Sequence, residues 1–505
     1  MKNGVWSSLG FLVPSVISFV SIPLYIYYLG TVQFGIWTLL NSILGMAGLF
    51  SLGISEATTK YIAELDKVEN QEERNEIIYV ATIISLFLGV LATIFIIGIS
   101  GWILNNALGI KEPDDLISYT SLFKEISYGL LPSVSSFSIL GILNGFQDYK
   151  NSQKTLIIRN ILLTISSVLL LFFGLGIDSL VRAVVIIYYL IWFYLLYLTY
   201  NKLSSKKIST LNLFRNAKKL LGYGLYASIT TLGTMSLTHL DRFLVGALIN
   251  LEAVTIYSVS RNLSSYFHTI NGAASKVLMP FFSKQKGSFD SSKLTNVFVD
   301  GWTISIMIDI FIMTLALSTS NWLLEVWVGR EIAEQAKSLY VIFIFVFLVH
   351  GLTVVPHYYL MAIGRPDVVG IITLTAGISF LFIMYLFGST YGLIGIAYSS
   401  FIYPLISFLL IVYVQKSLKC KIVFFDIVLE MICPIIYATF VCLLSIIVGK
   451  FVTHMGLSAS LSLLASLVTS AVLLSVSILM PINIINKHTQ MFSRVSSLAK
   501  NHLRS

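Results

Sequence analysis

Hydrophobic positions along this chain fall in long runs of about 20 residues or more, the length an α-helix needs to cross a bilayer. Fourteen such helices are predicted. The first half of the chain holds 4–28, 35–54, 77–104, 119–144, 155–175 and 178–200. The second half holds 220–248, 253–281, 297–319, 335–362, 367–387 and 392–415, and 428–449 and 455–480 come after them, before a short polar tail. The run at 4–28 follows a single Lys2. It exceeds the apolar region of a secretory signal, about 7–15 residues, and lacks a small-residue cleavage site, so it is predicted to be a retained first helix. The expected fold class is therefore all-α, a polytopic helical membrane protein.

Composition agrees. Of 505 residues, 56% are hydrophobic and 11% charged, against about 25% charged in an ordinary soluble domain. The net charge of +9 raises the question of nucleic acid, and its placement answers it. With the N-terminus inside, 24 of the 33 Lys and Arg residues fall on cytoplasmic segments and five on outer loops (Lys111, Arg182, Arg330, Lys337 and Lys450). Lys124, Arg242, Arg261 and Lys276 lie within spans. That asymmetry is the positive-inside pattern, so the basic charge sets topology and no nucleic-acid partner is expected. Both termini are predicted to be cytoplasmic. The three cysteines, Cys420, Cys433 and Cys442, have neither metal-ligand nor disulfide-like spacing and read as packing residues.

The two halves resemble each other. Leu29-Gly30-Thr31-Val32-Gln33-Phe34-Gly35-Ile36-Trp37 and Leu248-Ile249-Asn250-Leu251-Glu252-Ala253-Val254-Thr255-Ile256-Tyr257 occupy equivalent turns. Gly145-Phe146-Gln147-Asp148 matches Gly364-Arg365-Pro366-Asp367, and Phe173-Gly174 matches Phe387-Gly388. The shared order predicts two six-helix lobes entering the membrane in the same direction, related by a pseudo-two-fold along the membrane normal. The expected organisation is an N-terminal lobe at 1–205, a cytoplasmic linker at 206–219, a C-terminal lobe at 220–415, and two extra helices with a tail at 416–505.

Leu29-Gly30 through Phe34-Gly35-Ile36-Trp37, with Leu52-Gly53-Ile54 after it, resembles the opening of bacterial polysaccharide-transport proteins. So does Asp241-Arg242-Phe243-Leu244-Val245-Gly246 running on to Ile256-Tyr257-Ser258-Val259. That superfamily also holds multidrug extruders and lipid II flippases, and this chain is most similar to the Wzx-type O-antigen flippases. The resemblance implies a flippase of the bacterial inner membrane. It would move undecaprenyl-pyrophosphate-linked oligosaccharide from the cytoplasmic to the periplasmic leaflet by alternating access. Membrane lipids, H+ or Na+ and a glycan polymerase would be its further partners.

Ionisable residues inside spans are costly and so mark candidate sites. Arg261, His268 and Lys276, at intervals of seven and eight on one helix, predict a ladder of basic groups, with Arg242 at a similar depth to Arg261. Such a cationic cavity, with Lys124 near its outer mouth, would draw in a pyrophosphate head group, which arginine can grip with two hydrogen bonds. In the competing structural reading, Asp241 pairs with Arg242 or Arg261 and pins two helices, while Lys276 snorkels to the inner surface. For ion coupling the candidates are Asp309, mid-helix, with Asp241, Glu125 and His350. His350 and His357, seven apart, are expected to share a face. Pro14 and Pro23 are expected to bend the first helix. In lipid II flippases the corresponding lobe carries arginines at the cavity; here that lobe's first two helices have no charge between Lys2 and Glu56, which departs from that branch. No nucleophile–base pair, metal cluster, cofactor motif or phosphate-cradling loop stands out, so no enzymatic activity and no cofactor is expected. A cation-coupled multidrug extruder and a lipid II flippase are the nearest alternatives. An intramembrane glycan polymerase is disfavoured by the short outer loops.

Overall fold

The computed structural model describes residues 2–65, 71–203, 213–285, 291–418 and 424–479. Part of the expected linker, the tail from residue 480, and Cys420 lie outside the described residues. The protein is all-α, without a strand among the described residues, and it is a multi-pass membrane protein. Nine of the described helices are each long and apolar enough to cross a membrane, and two shorter apolar helices accompany them.

The chain divides into two compact units, one of Met1–Leu263 with Asp367–Ile406 and one of Ser264–Pro366 with Ser407–Ser505. The first unit begins with α1 (Lys2–Gly45), α2 (Ala47–Phe50), α3 (Ile54–Glu64), α4 (Gln71–Trp102) and α5 (Pro113–Ser127). It continues with α6 (Leu130–Gly145), α7 (Tyr149–Phe172), α8 (Ile177–Tyr200), α9 (Leu213–Met235) and α10 (Asp241–Leu248). The next helix, α11 (Leu251–Ser275), contributes its residues up to Leu263. The second unit holds the rest of α11, then α12 (Met279–Gln285), α13 (Ser291–Val328), α14 (Arg330–Gly351) and α15 (Val354–Ala362). Nearly all of α16 (Pro366–Ser399) and most of α17 (Ile402–Ser407) return to the first unit, while α18 (Leu409–Leu418), α19 (Phe424–His454) and α20 (Ala459–Leu479) complete the second.

Two of the expected helix breaks fall at single glycines, where one helix ends and the next begins without a longer loop. In α1 the chain turns at Gly30, whose φ of 76° is left-handed and free of Cβ strain only in glycine. In α16 the same occurs at Gly392, with φ 62°. Pro14 and Pro23 are accommodated inside α1.

Inside the first unit, α3, α4, α6 and α9 close around Ile54, Ala57, Ile62, Ile77, Ile78, Ala81, Ile142 and Leu220. The backbones of α3 and α6 approach so closely that a Cβ on Gly141 would strike the Ser55 carbonyl. The Thr59 hydroxyl donates to the Gly141 carbonyl at 3.0 Å. Close backbones joined by small and hydroxylated residues are how helices associate where lipid removes the hydrophobic drive. The outward face has the opposite character. Along α4, Ile83, Phe87, Leu91 and Ile94 form an exposed apolar stripe at helical spacing, a surface that suits hydrocarbon and not water. In the second unit hydroxyls stitch α13, α19 and α20 together. Ser318 and Ser470 lie 2.8 Å apart, Ser470 donates to Ser445 at 2.8 Å, and Trp322 Nε1 donates to Thr453 at 3.1 Å.

At the start of α7, Asp148 accepts from the Asn151 backbone N–H at 3.3 Å, capping the helix, and pairs with Lys202 Nζ at 2.8 Å. Partial burial pushes the Asp148 carboxyl up, but the Lys202 ammonium and the Asn151 donors outweigh it and hold the group below the usual carboxylate range. A depressed pKa stabilises the fold in full above the unfolded value, about 3.9, and that contribution is lost as pH falls through the folded value. Asp148→Ala is therefore expected to cost about 1 kcal/mol at pH 7. Melting curves of variant and wild type should begin to draw together below about pH 4 and meet only once the pH has passed below the lowered value of the folded carboxyl.

Candidate functional site

Among the described residues, each unit buries a polar cluster that contains sequence-predicted candidates. In the first, the chain after α9 widens into a π-helical turn at Ser236–Leu240 before α10 begins at Asp241. Such turns occur often at functional sites, because one extra residue re-aims the side chains beyond it. Asp241 is fully buried. Its Oδ2 accepts from the Tyr257 hydroxyl at 2.8 Å and lies 3.3 Å from Arg261 Nε. Arg261 Nη1 in turn donates to the Tyr257 oxygen at 2.9 Å, closing a ring of three groups. Tyr257 and Arg261 are four residues apart on α11, so helical geometry places them on one face.

The neighbouring Arg242 is half-buried and reaches two uncharged partners. Its Nη2 donates to Asn262 Oδ1 at 3.1 Å, and its Nη1 lies 3.5 Å from Ser42 Oγ. One turn earlier, the His239 ring fills the space that a side chain at Gly45 would need. Two guanidinium groups, one carboxylate and several neutral dipoles thus share one region of the first unit. Two guanidinium groups against one carboxylate give the region a net positive charge, which suits an anion.

In the second unit the cluster centres on Asp309 of α13, which is 1% exposed. Asn271 Nδ2 donates to Asp309 Oδ2 at 2.8 Å. The Ser305 and Ser275 hydroxyls donate to Asn271 Oδ1 at 2.9 and 3.1 Å. Gly351, the last residue of α14, packs directly against the Asp309 carboxylate. Nearby on α11, His268 stacks on His350, with ring centroids 4.9 Å apart and planes 18° from parallel.

The basic residues expected to line one face of α11 fall in different units. Arg261 belongs to the first unit, and His268 and Lys276 to the second. Lys276 opens a 3-10 turn just past the end of α11. Lys124 is exposed, while Glu125 beside it faces Arg182 at 3.4 Å. His350 and His357 do not share one continuous helix face, because α14 ends at Gly351 and α15 starts at Val354. The cause is Pro356. It has no N–H to donate to the Leu352 carbonyl, which accepts from Trp302 Nε1 at 2.8 Å instead. His357 turns its ring edge-on to Tyr358. Among the described residues, no three His, Cys, Asp or Glu side chains gather as a metal cluster would.

Sequence reasoning passed over Tyr257, Asn262, Asn271, Ser275, Ser305 and Gly351. Four of these left a trace, since Tyr257–Arg261, Asn271–Ser275 and Ser305–Asp309 are all spaced at i, i+4, the interval of one helix face.

Known proteins share both the sequence pattern and the fold. The profile of the family described as "Polysaccharide biosynthesis protein" matches residues 1–286. A Shigella flexneri protein named "Putative O-antigen transporter" is 22% identical over 406 residues, covering 79% of this chain and 93% of that protein. Among solved structures, the lipid II flippase MurJ in an inward closed conformation superposes with a TM-score of 0.68 at 14% identity, over 94% of this chain and 98% of that one. An inward-facing multidrug resistance transporter of the MATE family gives 0.63 at 16% identity, over 82% of this chain and 96% of that one.

Proposed function

Because the chain belongs to the polysaccharide biosynthesis protein family, we propose that it flips a lipid-linked oligosaccharide across the bacterial inner membrane, from the cytoplasmic to the periplasmic leaflet. The observation that carries this reading is the presence of two guanidinium groups, those of Arg242 and Arg261, in one polar region of the first unit. Arginine suits phosphate recognition because its planar fork offers two parallel donors and never loses its charge. An undecaprenyl-pyrophosphate carrier presents the complementary anion. Similarity to the Shigella protein supports the same substrate class.

In this proposal the protein is a transporter without catalytic chemistry. Its lobes, 1–205 and 220–415, rock about a central site in alternating access. The linker at 206–219 and both termini are cytoplasmic, fourteen helices cross the membrane, and the two C-terminal helices accompany the second lobe. A cation gradient supplies the energy, and a glycan polymerase takes up the delivered repeat units. Among the acidic candidates for coupling, Asp241 is engaged by Tyr257 and Arg261 and Glu125 faces Arg182, which leaves Asp309 as the favoured carboxylate.

The test is transport of lipid-linked oligosaccharide in a host deleted for this gene and complemented with variants at matched membrane levels. Arg242→Ala is expected to slow appearance of repeat units at the periplasmic face by about tenfold or more, a loss of about 1.4 kcal/mol of transition-state stabilisation. Arg242→Lys should fall between, since it keeps the charge and loses the fork. Normal transport by Arg242→Ala and Arg261→Ala together would overturn the phosphate-binding role. Normal transport in the deletion host with raised drug sensitivity would install a drug extruder instead.

A further inference from the structure

We propose that Asp309, Asn271, Ser275 and Ser305 form a binding site for a sodium ion within the second unit. The inference deepens the cation-coupled reading and rests on it only for what the ion is used for.

Three observations carry the assignment. First, the donors are all hard oxygens, the ligand type that alkali and alkaline-earth cations take. Asp309 supplies two, Asn271 one and the two serines one each. Three of these oxygens lie within hydrogen-bond distance of one another, and the Asn271 amide joins them to Asp309. Ser275 Oγ and Ser305 Oγ are 3.1 Å apart, and each lies 2.9–3.1 Å from Asn271 Oδ1. Oxygens this close can surround an ion with metal–oxygen distances of about 2.4 Å, as calcium requires, and sodium is of nearly the same size.

Second, one carboxylate oxygen awaits a partner. Asp309 Oδ1 is buried with no hydrogen-bond partner among the described residues, whereas its sibling Oδ2 is bonded to Asn271. Leaving a buried polar atom unsatisfied costs about 1–3 kcal/mol, and in a membrane segment an ionisable group so placed marks an ion or proton path. A cation against Oδ1 removes that penalty. The serine hydroxyls can rotate their protons away and turn lone pairs toward the same point, at the cost of one weak hydrogen bond each.

Third, the charge count selects among cations. The cluster holds a single carboxylate, and among the described residues no group of three acidic, His or Cys side chains surrounds it. A divalent ion with one carboxylate would leave an uncompensated positive charge in a buried site, which is strongly disfavoured. A monovalent ion is neutralised. The imidazoles that face this region, His268 and His350, stack on each other and contribute no oxygen. Trp302 on α13 spends its N–H on the Leu352 carbonyl. Gly351 fixes the outer wall by lying against the carboxylate without a side chain of its own.

The test uses the full chain purified in detergent, with no lipid-linked substrate, melted in NaCl, KCl or choline chloride at equal ionic strength and pH. Saturating Na+ is expected to raise the midpoint by about 3–6 °C over choline, with K+ giving much less. Ser305→Ala should shift the Na+ titration to about tenfold higher concentration. Asp309→Asn, of the same shape, should melt as wild type does in choline and lose the Na+ response. Equal midpoints in the three salts would overturn the site, as would a Na+ response that survives both substitutions. A midpoint that responds to pH and not to Na+ would overturn it too, in favour of a protonated carboxyl. If the deletion host transports lipid-linked oligosaccharide normally while the Na+ response stands, the flippase reading falls and the ion site does not.

Discussion

Replacing Asp241 by alanine is expected to cost about 3–5 kcal/mol of stability, enough to remove most of the folded protein from detergent extracts. The reason lies in what would be left behind. Arg261 keeps its charge with its side chain only 10% exposed, and the Tyr257 hydroxyl loses its 2.8 Å acceptor. Neither can turn to water without disrupting the α10–α11 contact. The pair as a whole is worth less than its breakage suggests, because both charges were desolvated to form it. The double variant Asp241→Leu with Arg261→Met should therefore regain most of the folded fraction, read by size-exclusion profile and melting point. Transport by that double variant then separates two roles of Arg261. A folded double variant that no longer flips lipid-linked oligosaccharide assigns Arg261 to the substrate as well as to the fold. One that flips at the wild-type rate reduces the arginine to a fastener.

The pairing of Asp241 with Arg261 was one of two partners open from sequence, and only the structure chooses it. Arg242 is adjacent to Asp241 in the chain, yet its guanidinium is drawn away to Asn262 and Ser42. The choice depends on the π-helical turn at Ser236–Leu240, for which no residue pattern gives warning. Positions of helices were legible because about 20 apolar residues are hard to mistake. Their joints were less so. At Gly30 and Gly392 separate helices meet, as expected, but each joint is a single positive-φ glycine where a longer turn was expected.

The break between His350 and His357 was legible and overlooked. Pro356 deprives the Leu352 carbonyl of its helical donor, which is enough to end the assumption of one shared face. The Asp309 cluster shows the opposite limit. Asn271 with Ser275, and Ser305 with Asp309, were visible as two polar faces at i, i+4. That these faces belong to α11 and α13 and meet each other is a fact of tertiary packing, absent from either stretch alone.

Gly351→Ala tests that packing with one methyl group. A Cβ at this position would coincide with the Asp309 carboxylate, so the carboxylate must rotate or α14 must retreat. Rotation breaks the 2.8 Å bond from Asn271 and leaves a buried amide unsatisfied; retreat opens the contact between α13 and α14. Overpacking of this kind costs about 1–3 kcal/mol, and the lost hydrogen bond about 1–3 kcal/mol more. The expected result is a melting point lowered by several degrees, with the Na+ response abolished. Adding Asp309→Ala removes the obstruction and should restore most of the melting point, because the new methyl group occupies the space the carboxylate vacates. It should not restore the Na+ response, since the charged ligand is gone. Recovery of both together would mean that Asp309 serves only to fill space between α13 and α14. Failure to recover either would place the strain of Gly351→Ala in the backbone that ends α14.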